Sequence, residues 1–204
     1  MEDIKKIMKY KVIDNFLDEE YFDSLVTIFT DKEQTGNNLL PWFFQSSTVY
    51  PAVGEKRDLS EDRFFYMVHM AYKNNMPTSN MYEKLFPLLD KLGARCLIRI
   101  KANLVPNSEI LHEHPMHTDY EFSHCGAILS LNTCDGYTKL KDGTKIDSVA
   151  NRMLLFDPGE EHCSTTTTNS PVRINININY IYVDEPSPTY SLPKIMKEYY
   201  DTKN

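Results

Sequence analysis

The sequence predicts an α+β fold in which a jelly roll of antiparallel strands lies behind a flank of N-terminal helices. Two observations lead to this class. Apolar residues recur at helical spacing through much of the first half of the chain, whereas from residue 94 onward they alternate with a period of two. Helices followed by many short strands are typical of α+β domains with a sandwich or jelly-roll core.

Length and composition fit one globular domain. The chain has 204 residues, of which 41% are apolar and 25% charged, enough for one sizeable core. We therefore expect a single domain over residues 1–204, with a mainly helical flank at 1–93, a β-core at 94–183 and a C-terminal tail at 184–204. The formal net charge of -7 makes nucleic acid an unfavourable partner.

The N-terminus and the cysteines bear on location. Residues Met1–Lys6 lack the apolar core of a signal peptide, and no stretch is long and apolar enough to span a membrane. The four cysteines show no CxxC spacing, so we expect reduced thiols. These features predict a cytoplasmic protein without a membrane partner, and they leave its oligomeric state open.

The flank is predicted to begin with a short extended segment at residues 10–17, followed by three helices. Asp18 is a suitable N-cap for the first helix, because apolar residues recur at helical spacing directly after it. A second helix is predicted over Ser60–Tyr72, with Phe64 and Phe65 packed between the helices and the sheet.

The third predicted helix runs from Ser79 to Gly93, where glycine is a natural stop. Pro87 lies inside this range, so the helix is either kinked or begins later. Residues 31–60 are expected to form loops and short strands, and a lid over the functional site is one role for them. A short terminal helix is expected within the tail.

The clearest strand spans residues 173–180 and alternates strictly between aliphatic and polar side chains. One face is aliphatic, and the other begins with Arg173 and continues with three asparagines. A polar row of this kind lines the wet interior of a closed sheet or lies on an exposed face. The arginine at its head favours the interior. Further strands are predicted at residues 96–104, 126–131 and 153–156.

Four of the six histidines fall within residues 112–124, and His117-Thr118-Asp119 is their most informative motif. His117 and Asp119 are two residues apart, so on a strand both side chains leave the same face. A sandwich brings His162 to this pair, and two histidines with one carboxylate suit non-haem Fe(II) with open coordination positions. Arg173, on the next strand, is placed to hold a carboxylate of a chelating cosubstrate.

Other readings of these residues stay open. His112, His114 and His117 form a short histidine-rich tract that Zn²⁺ would also suit, although it offers no carboxylate. His69 and His124 are expected to be structural, and Cys163 to pack as a small apolar group. Asp119 is expected at the surface-facing mouth of the barrel, so that its removal would leave the fold intact.

A basic row, Arg95, Arg99 and Lys101, precedes the histidine segment. These side chains lie near an anionic substrate, or they are solvated and paired with the excess of acidic residues. The sequence does not separate the two alternatives.

These motifs resemble those of the 2-oxoglutarate-dependent Fe(II) dioxygenases, in particular the prolyl-4-hydroxylase-like branch. His117-Thr118-Asp119 is similar to the family's HxD motif, His162 to its distal histidine and Arg173 to its basic residue for the far carboxylate of 2-oxoglutarate. Three further stretches resemble family segments in the same order: Val12–Leu17, Ser130–Thr138 and Asn151–Phe156. The resemblance covers most of residues 10–183.

The resemblance implies a double-stranded β-helix core, Fe(II) bound by the His–Asp–His set, 2-oxoglutarate and O2 as cosubstrates, and ascorbate as an accessory reductant. Asn103 or Ser130 stands where family members often place a tyrosine near 2-oxoglutarate, and Asn175 replaces the serine of the commoner Arg-x-Ser. These three are candidate cosubstrate contacts. The implied activity is hydroxylation of an unactivated C–H bond of a prolyl or other peptide side chain, with release of succinate and CO2.

Two alternatives remain. One is a catalytically silent, cupin-like metal-binding jelly roll that acts as a sensor or interaction module, and the other is the same oxygenase chemistry on a small metabolite. Arg173 separates the first alternative from the enzyme, since a simple metal binder has no need of a cation facing the metal.

Overall fold

The computed structural model describes residues 10–30, 40–47 and 64–182. The helices are α1 (Glu19–Thr30), α2 (Met81–Lys84) and α3 (Phe86–Leu92). The first seven strands are β1 (Tyr10–Ile13), β2 (Phe43–Gln45), β3 (Tyr66–Lys73), β4 (Met76–Pro77), β5 (Cys96–Pro106), β6 (Cys125–Ser130) and β7 (Tyr137–Leu140). The remaining strands are β8 (Lys145–Asp147), β9 (Met153–Phe156), β10 (His162–Ser164) and β11 (Val172–Ile181).

The strands form two antiparallel sheets. The larger sheet has the order β1-β9-β6-β11-β5-β3-β2, with β4 paired to β3, and the smaller has the order β10-β7-β8. Non-consecutive neighbours such as β11 between β5 and β6 are the crossovers of a jelly roll. The predicted α+β class with a jelly-roll core is confirmed.

The apolar face of the larger sheet packs against the helices. Ile174, Ile176 and Ile178 of β11 lie in one buried cluster with residues of all three helices, among them Leu25 and Leu88. Burying this aliphatic row removes it from water and holds the helical layer on one side of the sheet. Functional groups are therefore left to the opposite face.

The opposite face of β11 is polar and enclosed. Arg173, Asn175, Asn177 and Asn179 are all buried, so the alternative of an exposed sheet face is wrong. The smaller sheet covers one end of this interior through an apolar cluster in which Ile128 and Leu154 of the larger sheet meet Leu140 and Ile146. The polar row thus lines a lumen between the sheets.

The second predicted helix is wrong over its described part, because Tyr66–Lys73 is strand β3. It pairs with β5 on one side and β2 on the other. Both faces of β3 are buried, so its apolar residues do not show a clean period of two, and pairing with β5 outweighs local propensity. Phe65 is 41% exposed and Phe64 stacks on His112, so neither packs between helices and sheet.

The first and third helical predictions are confirmed. Asp18 accepts a hydrogen bond from the backbone N–H of Tyr21 at 3.0 Å, as an N-cap does. The third segment divides at Leu85 into α2 and α3, with Pro87 in the first turn of α3, where its missing N–H has no intrahelical partner. Gly93 ends α3 with a φ of 68°.

Several predictions lie outside the described residues. They include the terminal helix in the tail and all of the suggested lid except the part at residues 40–47, which holds β2 at an edge of the larger sheet. Among the described helices, none is long and apolar enough to cross a membrane.

Candidate metal centre

His117 and His162 are brought together by backbone pairing. The N–H of each residue donates to the carbonyl oxygen of the other at 2.9 Å, an isolated antiparallel bridge between the HxD segment and the start of β10. The N–H of Asp119 donates to Pro158 O at 2.9 Å and fixes the carboxylate beside them. One ligand atom from each of these three side chains lies within 4.8 Å of the others.

Both imidazoles are held neutral, which is the form that binds metal. Burial, with the neighbouring His162, lowers the pKa of His117 to about 4, and burial also lowers the pKa of His162. Nδ1 of His162 lies 3.0 Å from the carbonyl oxygen of Glu160. This contact suits an Nδ1–H tautomer and leaves Nε2 free for a metal ion.

Asp119 is a buried, ionised carboxylate and not a residue of a surface-facing mouth. Its side chain is 3% exposed and forms an ion pair with Arg99 at 2.7 Å, while Asn179 donates to its other oxygen at 2.9 Å. Burial alone would raise the pKa of Asp119, but the charges of Arg99 and Lys101 and this hydrogen bond hold it well below its ordinary value. The predicted surface-facing placement is therefore wrong, and we now expect removal of this carboxylate to lower the stability of the fold, because Arg99 would lose its partner.

Two neutral imidazoles and one carboxylate are the donor set of a facial triad, which suits Fe(II) and leaves open positions for other ligands. The rival histidine tract does not form such a site. The rings of His112 and His114 lie 6.0 Å apart, and among the described residues no second group of three ligands comes as close together as the triad.

Arg173 is the second charged feature of the lumen. It is 1% exposed, and its guanidinium donates to three hydroxyls: Ser148 at 2.6 Å, Thr138 at 3.1 Å, and Ser164. Burial lowers the pKa of Arg173 to about 10, so it remains charged at neutral pH. No acidic side chain in the described part of the chain pairs with it. A buried cation without a counter-ion favours binding of an anion.

One small cavity connects these features. It is lined by His117 and His162 of the triad, by Thr138 and Ser164 from the Arg173 cluster, and by Asn103 and Asn175. Asn103 donates to Asn175 at 2.9 Å. Ser130 is buried on β6 opposite Asn175 but does not line the cavity. The structure therefore brings every predicted site residue except Ser130 to this cavity or its immediate wall.

Tyr66 and Lys101 also line the cavity. Tyr66 was missed because its segment was predicted as a helix. Of the basic row, Arg95 is exposed and lies 3.7 Å from Asp90, whereas Arg99 and Lys101 face inward on β5. Arg95 precedes the first residue of β5 and has the same odd parity as Arg99 and Lys101, so a period of two could not separate it from them.

The remaining single residues behave as structural groups. His69 bonds Pro41 O and Ser79 Oγ, each at 2.8 Å, and Cys163 is packed in the interior. His124 lies 3.1 Å from Asn179, so it supports the network around Asp119.

A larger groove of about 620 Å³ lies outside the lumen, with Tyr10, Leu155, Phe156 and Glu160 among its walls. None of the triad residues lines it. The candidate metal ligands therefore lie at the small internal cavity and not at this groove.

Comparisons with known proteins agree with this fold. No protein-family model matches the chain, and no curated protein is similar to it at a significant level. A prolyl-4-hydroxylase from Pseudomonas putida is 15% identical with a TM-score of 0.53, covering 86% of this chain and 93% of that chain. A prolyl hydroxylase from Trichoplax adhaerens, in complex with a hypoxia inducible factor peptide fragment, is 14% identical with a TM-score of 0.55 and coverages of 85% and 84%.

A third solved structure widens the range of activities found on this fold. The non-haem alpha-ketoglutarate-dependent epimerase SnoN of nogalamycin biosynthesis is 11% identical, with a TM-score of 0.53 and coverages of 91% and 87%. At these identities the likeness concerns the fold. The chain therefore has the double-stranded β-helix fold of the 2-oxoglutarate Fe(II) oxygenases and of their prolyl-4-hydroxylase-like branch, as its motifs predict.

Proposed function

We propose that this chain is an Fe(II)- and 2-oxoglutarate-dependent dioxygenase that hydroxylates an unactivated C–H bond and releases succinate and CO2. The main supporting observation is a cavity lined by both histidines of the triad and by Thr138 and Ser164, two of the residues that bind the guanidinium of Arg173. This guanidinium is buried, and no described acidic side chain pairs with it. A metal-binding module without cosubstrate has no use for such a cation, so Arg173 argues against the cupin-like alternative.

In this proposal His117, Asp119 and His162 hold Fe(II), and Arg173 holds the far carboxylate of 2-oxoglutarate. The iron, with 2-oxoglutarate and O2, supplies the oxidising power for C–H cleavage, and ascorbate would keep the metal reduced. The protein's part is to position and protect these groups.

The residues around the triad perform three tasks. Burial keeps His117 and His162 neutral, and Arg99 keeps Asp119 ionised, so the ligands need no proton release at neutral pH. The hydroxyls of Thr138 and Ser164 orient the guanidinium of Arg173 toward the cavity. The apolar cluster between the two sheets limits access of water to this interior.

For the substrate we propose a prolyl or other peptide side chain. The likeness to prolyl hydroxylases supports it, one of them bound to a peptide fragment. The net charge of -7 disfavours nucleic acid. A small metabolite is the competing substrate class, because the fold also serves an epimerase of nogalamycin biosynthesis.

The deciding experiment is an anaerobic titration of metal-free protein with Fe(II) and then 2-oxoglutarate. We expect the visible charge-transfer absorption of chelated 2-oxoglutarate, and its loss in His117→Ala. Iron binding without this absorption would favour the cupin-like module, and failure to bind iron would refute the proposal. The matched control is His69→Ala, which removes a buried histidine that is not part of the triad.

The substrate class is tested separately by succinate release. Proline-containing peptides and free amino acids are compared at equal concentration with the iron-loaded protein. Faster succinate release with the peptides supports a prolyl or other peptide substrate. Faster release with free amino acids alone would show that the substrate is a small metabolite.

A further inference from the structure

Lys101 places a second cation in the cavity that holds the triad. It lies on the inward face of β5, directly opposite Asn177 of β11, and it lines the cavity together with His117 and His162. Its charge acts on all three triad side chains. Lys101 therefore lies at the metal end of the lumen.

The ammonium of Lys101 has no acidic partner in the part of the chain that the structure describes. Its described contact is with the ring of Tyr66, whose centroid lies 5.8 Å from Nζ. The one carboxylate of the triad, Asp119, forms an ion pair with Arg99 and accepts a hydrogen bond from Asn179. Burial and the neighbouring charge of Arg99 lower the pKa of Lys101 to about 8, and the carboxylate of Asp119 offsets only part of this effect.

Arg173 marks the opposite end of the same lumen. It lies opposite Val105, four residues along β5 from Lys101, which corresponds to roughly 13 Å of strand. Both long side chains leave the same face of the sheet. Asn103 lies between them and Asn177 lies beside Lys101, and the buried Oδ1 atoms of both asparagines have no hydrogen-bond partner. The lumen thus offers a cation at each end and unsatisfied polar atoms along it.

A molecule with two negative ends matches this charge pattern. The cavity measures about 60 Å³, room for about two waters, so a five-carbon dicarboxylate needs a lining side chain to move. A lysine stem has many rotamers and Lys101 has no described hydrogen bond, whereas Arg173 is held by three hydroxyls. A change of rotamer at Lys101 would therefore make room without breaking a described hydrogen bond.

We propose that Lys101 binds the carboxylate adjacent to the keto group of 2-oxoglutarate, so that the cosubstrate lies between Lys101 at the metal end and Arg173 at the far end. This inference rests on the proposed function. Lys101 is then a positioning residue that adds affinity for 2-oxo acids at the metal. It distinguishes 2-oxoglutarate from ligands that lack the first carboxylate.

The test is calorimetric binding to the full chain loaded with Mn(II), which replaces Fe(II) without turnover. Three ligands are compared: 2-oxoglutarate, 2-oxopentanoate, which lacks the far carboxylate, and 4-oxopentanoate, which lacks the carboxylate next to the keto group. Lys101→Met is expected to weaken the first two by roughly 10- to 100-fold, the effect of one charge-assisted hydrogen bond, and to leave 4-oxopentanoate within about 3-fold. Arg173→Met is expected to spare 2-oxopentanoate instead.

Two controls separate a binding role from a structural one. Lys141→Met makes the same change at an exposed lysine and is expected to alter no affinity. Mn(II) alone is expected to bind Lys101→Met at least as tightly as wild type, because a repelling cation has been removed. Lys101→Gln repeats the test if the methionine variant does not fold.

Unchanged binding of 2-oxoglutarate by a folded Lys101→Met variant would overturn the inference while leaving the proposed function in place. If the same variant showed only a raised KM for the hydroxylated substrate, Lys101 would serve an anionic group of that substrate, and the inference would again be wrong. Failure of wild type to bind Mn(II) or 2-oxoglutarate would instead overturn the proposed function itself.

Discussion

The inward-facing ammonium of Lys101 lowers the stability of the metal-free, ligand-free protein, and Lys101→Met is therefore expected to raise it. Methionine keeps the length and the apolar character of the lysine stem and removes the charge. The change leaves the ion pair between Arg99 and Asp119 intact. The variant thus reports the net cost of one buried cation that Asp119 compensates only in part.

The magnitude follows from the pKa of Lys101, which falls from its ordinary value of 10.5 to about 8. A difference of about 2.5 in pKa corresponds to about 3 kcal/mol at 25 °C. Because the residue is half-buried, solvent screening reduces this figure, and we expect a gain of about 1–3 kcal/mol at pH 7.

The sign of the pH dependence is fixed by the depressed pKa of Lys101. The unfolded chain holds this proton more tightly than the folded protein, so the cost is fully present below pH 8 and disappears as the pH rises through 10.5. The advantage of Lys101→Met over wild type is therefore expected at pH 7 and is expected to shrink toward pH 10.5.

Urea unfolding in the presence of EDTA measures the difference in the free energy of unfolding between Lys101→Met and wild type, at pH 7 and at pH 10. Lys141→Met serves as the surface control and is expected to stay within about 0.5 kcal/mol of wild type. A destabilised Lys101→Met, or a gain that is the same at both pH values, would refute the reasoning. Higher stability together with weaker 2-oxoglutarate binding in Lys101→Met is the result expected for a residue whose role is ligand binding.

Further predictions concern the groups around Lys101. Arg99→Met leaves Asp119 buried without its ion pair and is expected to lower the free energy of unfolding by about 3 kcal/mol, measured with urea; a neutral result would mean that the pair is solvated. Asp119→Ala is expected to abolish Mn(II) binding in calorimetry and also to lower stability, and retained metal binding would remove it from the triad. Arg173→Ala is expected to raise the 2-oxoglutarate requirement by about 10- to 100-fold in succinate release, and an unchanged requirement would exclude it from the site. Gly136→Ala places a Cβ 2.6 Å from Arg173 Cδ and 2.7 Å from Thr166 O, so it is expected to lower both stability and 2-oxoglutarate affinity, whereas wild-type behaviour would mean that this wall is loose.

Local pattern was sufficient for the elements that have one dominant period. The alternation of residues 173–180 predicted both the strand and its polar face. The candidate ligands His117 and Asp119 lie instead at an isolated bridge and in the bend that follows, so the strand assumed from their spacing is not formed. Asp18 and Gly93 were recognised as helix ends because their roles depend on neighbouring backbone groups alone.

The second helical prediction failed where the period is ambiguous. Strand β3 pairs along its edges with β2 and β5, and side chains on both of its faces are buried. Its apolar residues therefore occur at both odd and even positions. Pairing between distant segments decided its conformation. Tyr66, which lines the cavity, could not be recognised as a site residue without knowledge of this strand pairing.

Sequence alone was enough to predict the candidate ligand types, the division of β11 into an aliphatic and an Arg–Asn face, and the class of fold, because these depend on residue identity and on short-range periodicity. The burial of Asp119 against Arg99, the exposure of Arg95 and the position of Lys101 beside the triad became visible only in the folded structure. Burial and pairing are set by contacts between strands far apart in the chain. The electrostatics of the site are therefore a property of the packed sheets.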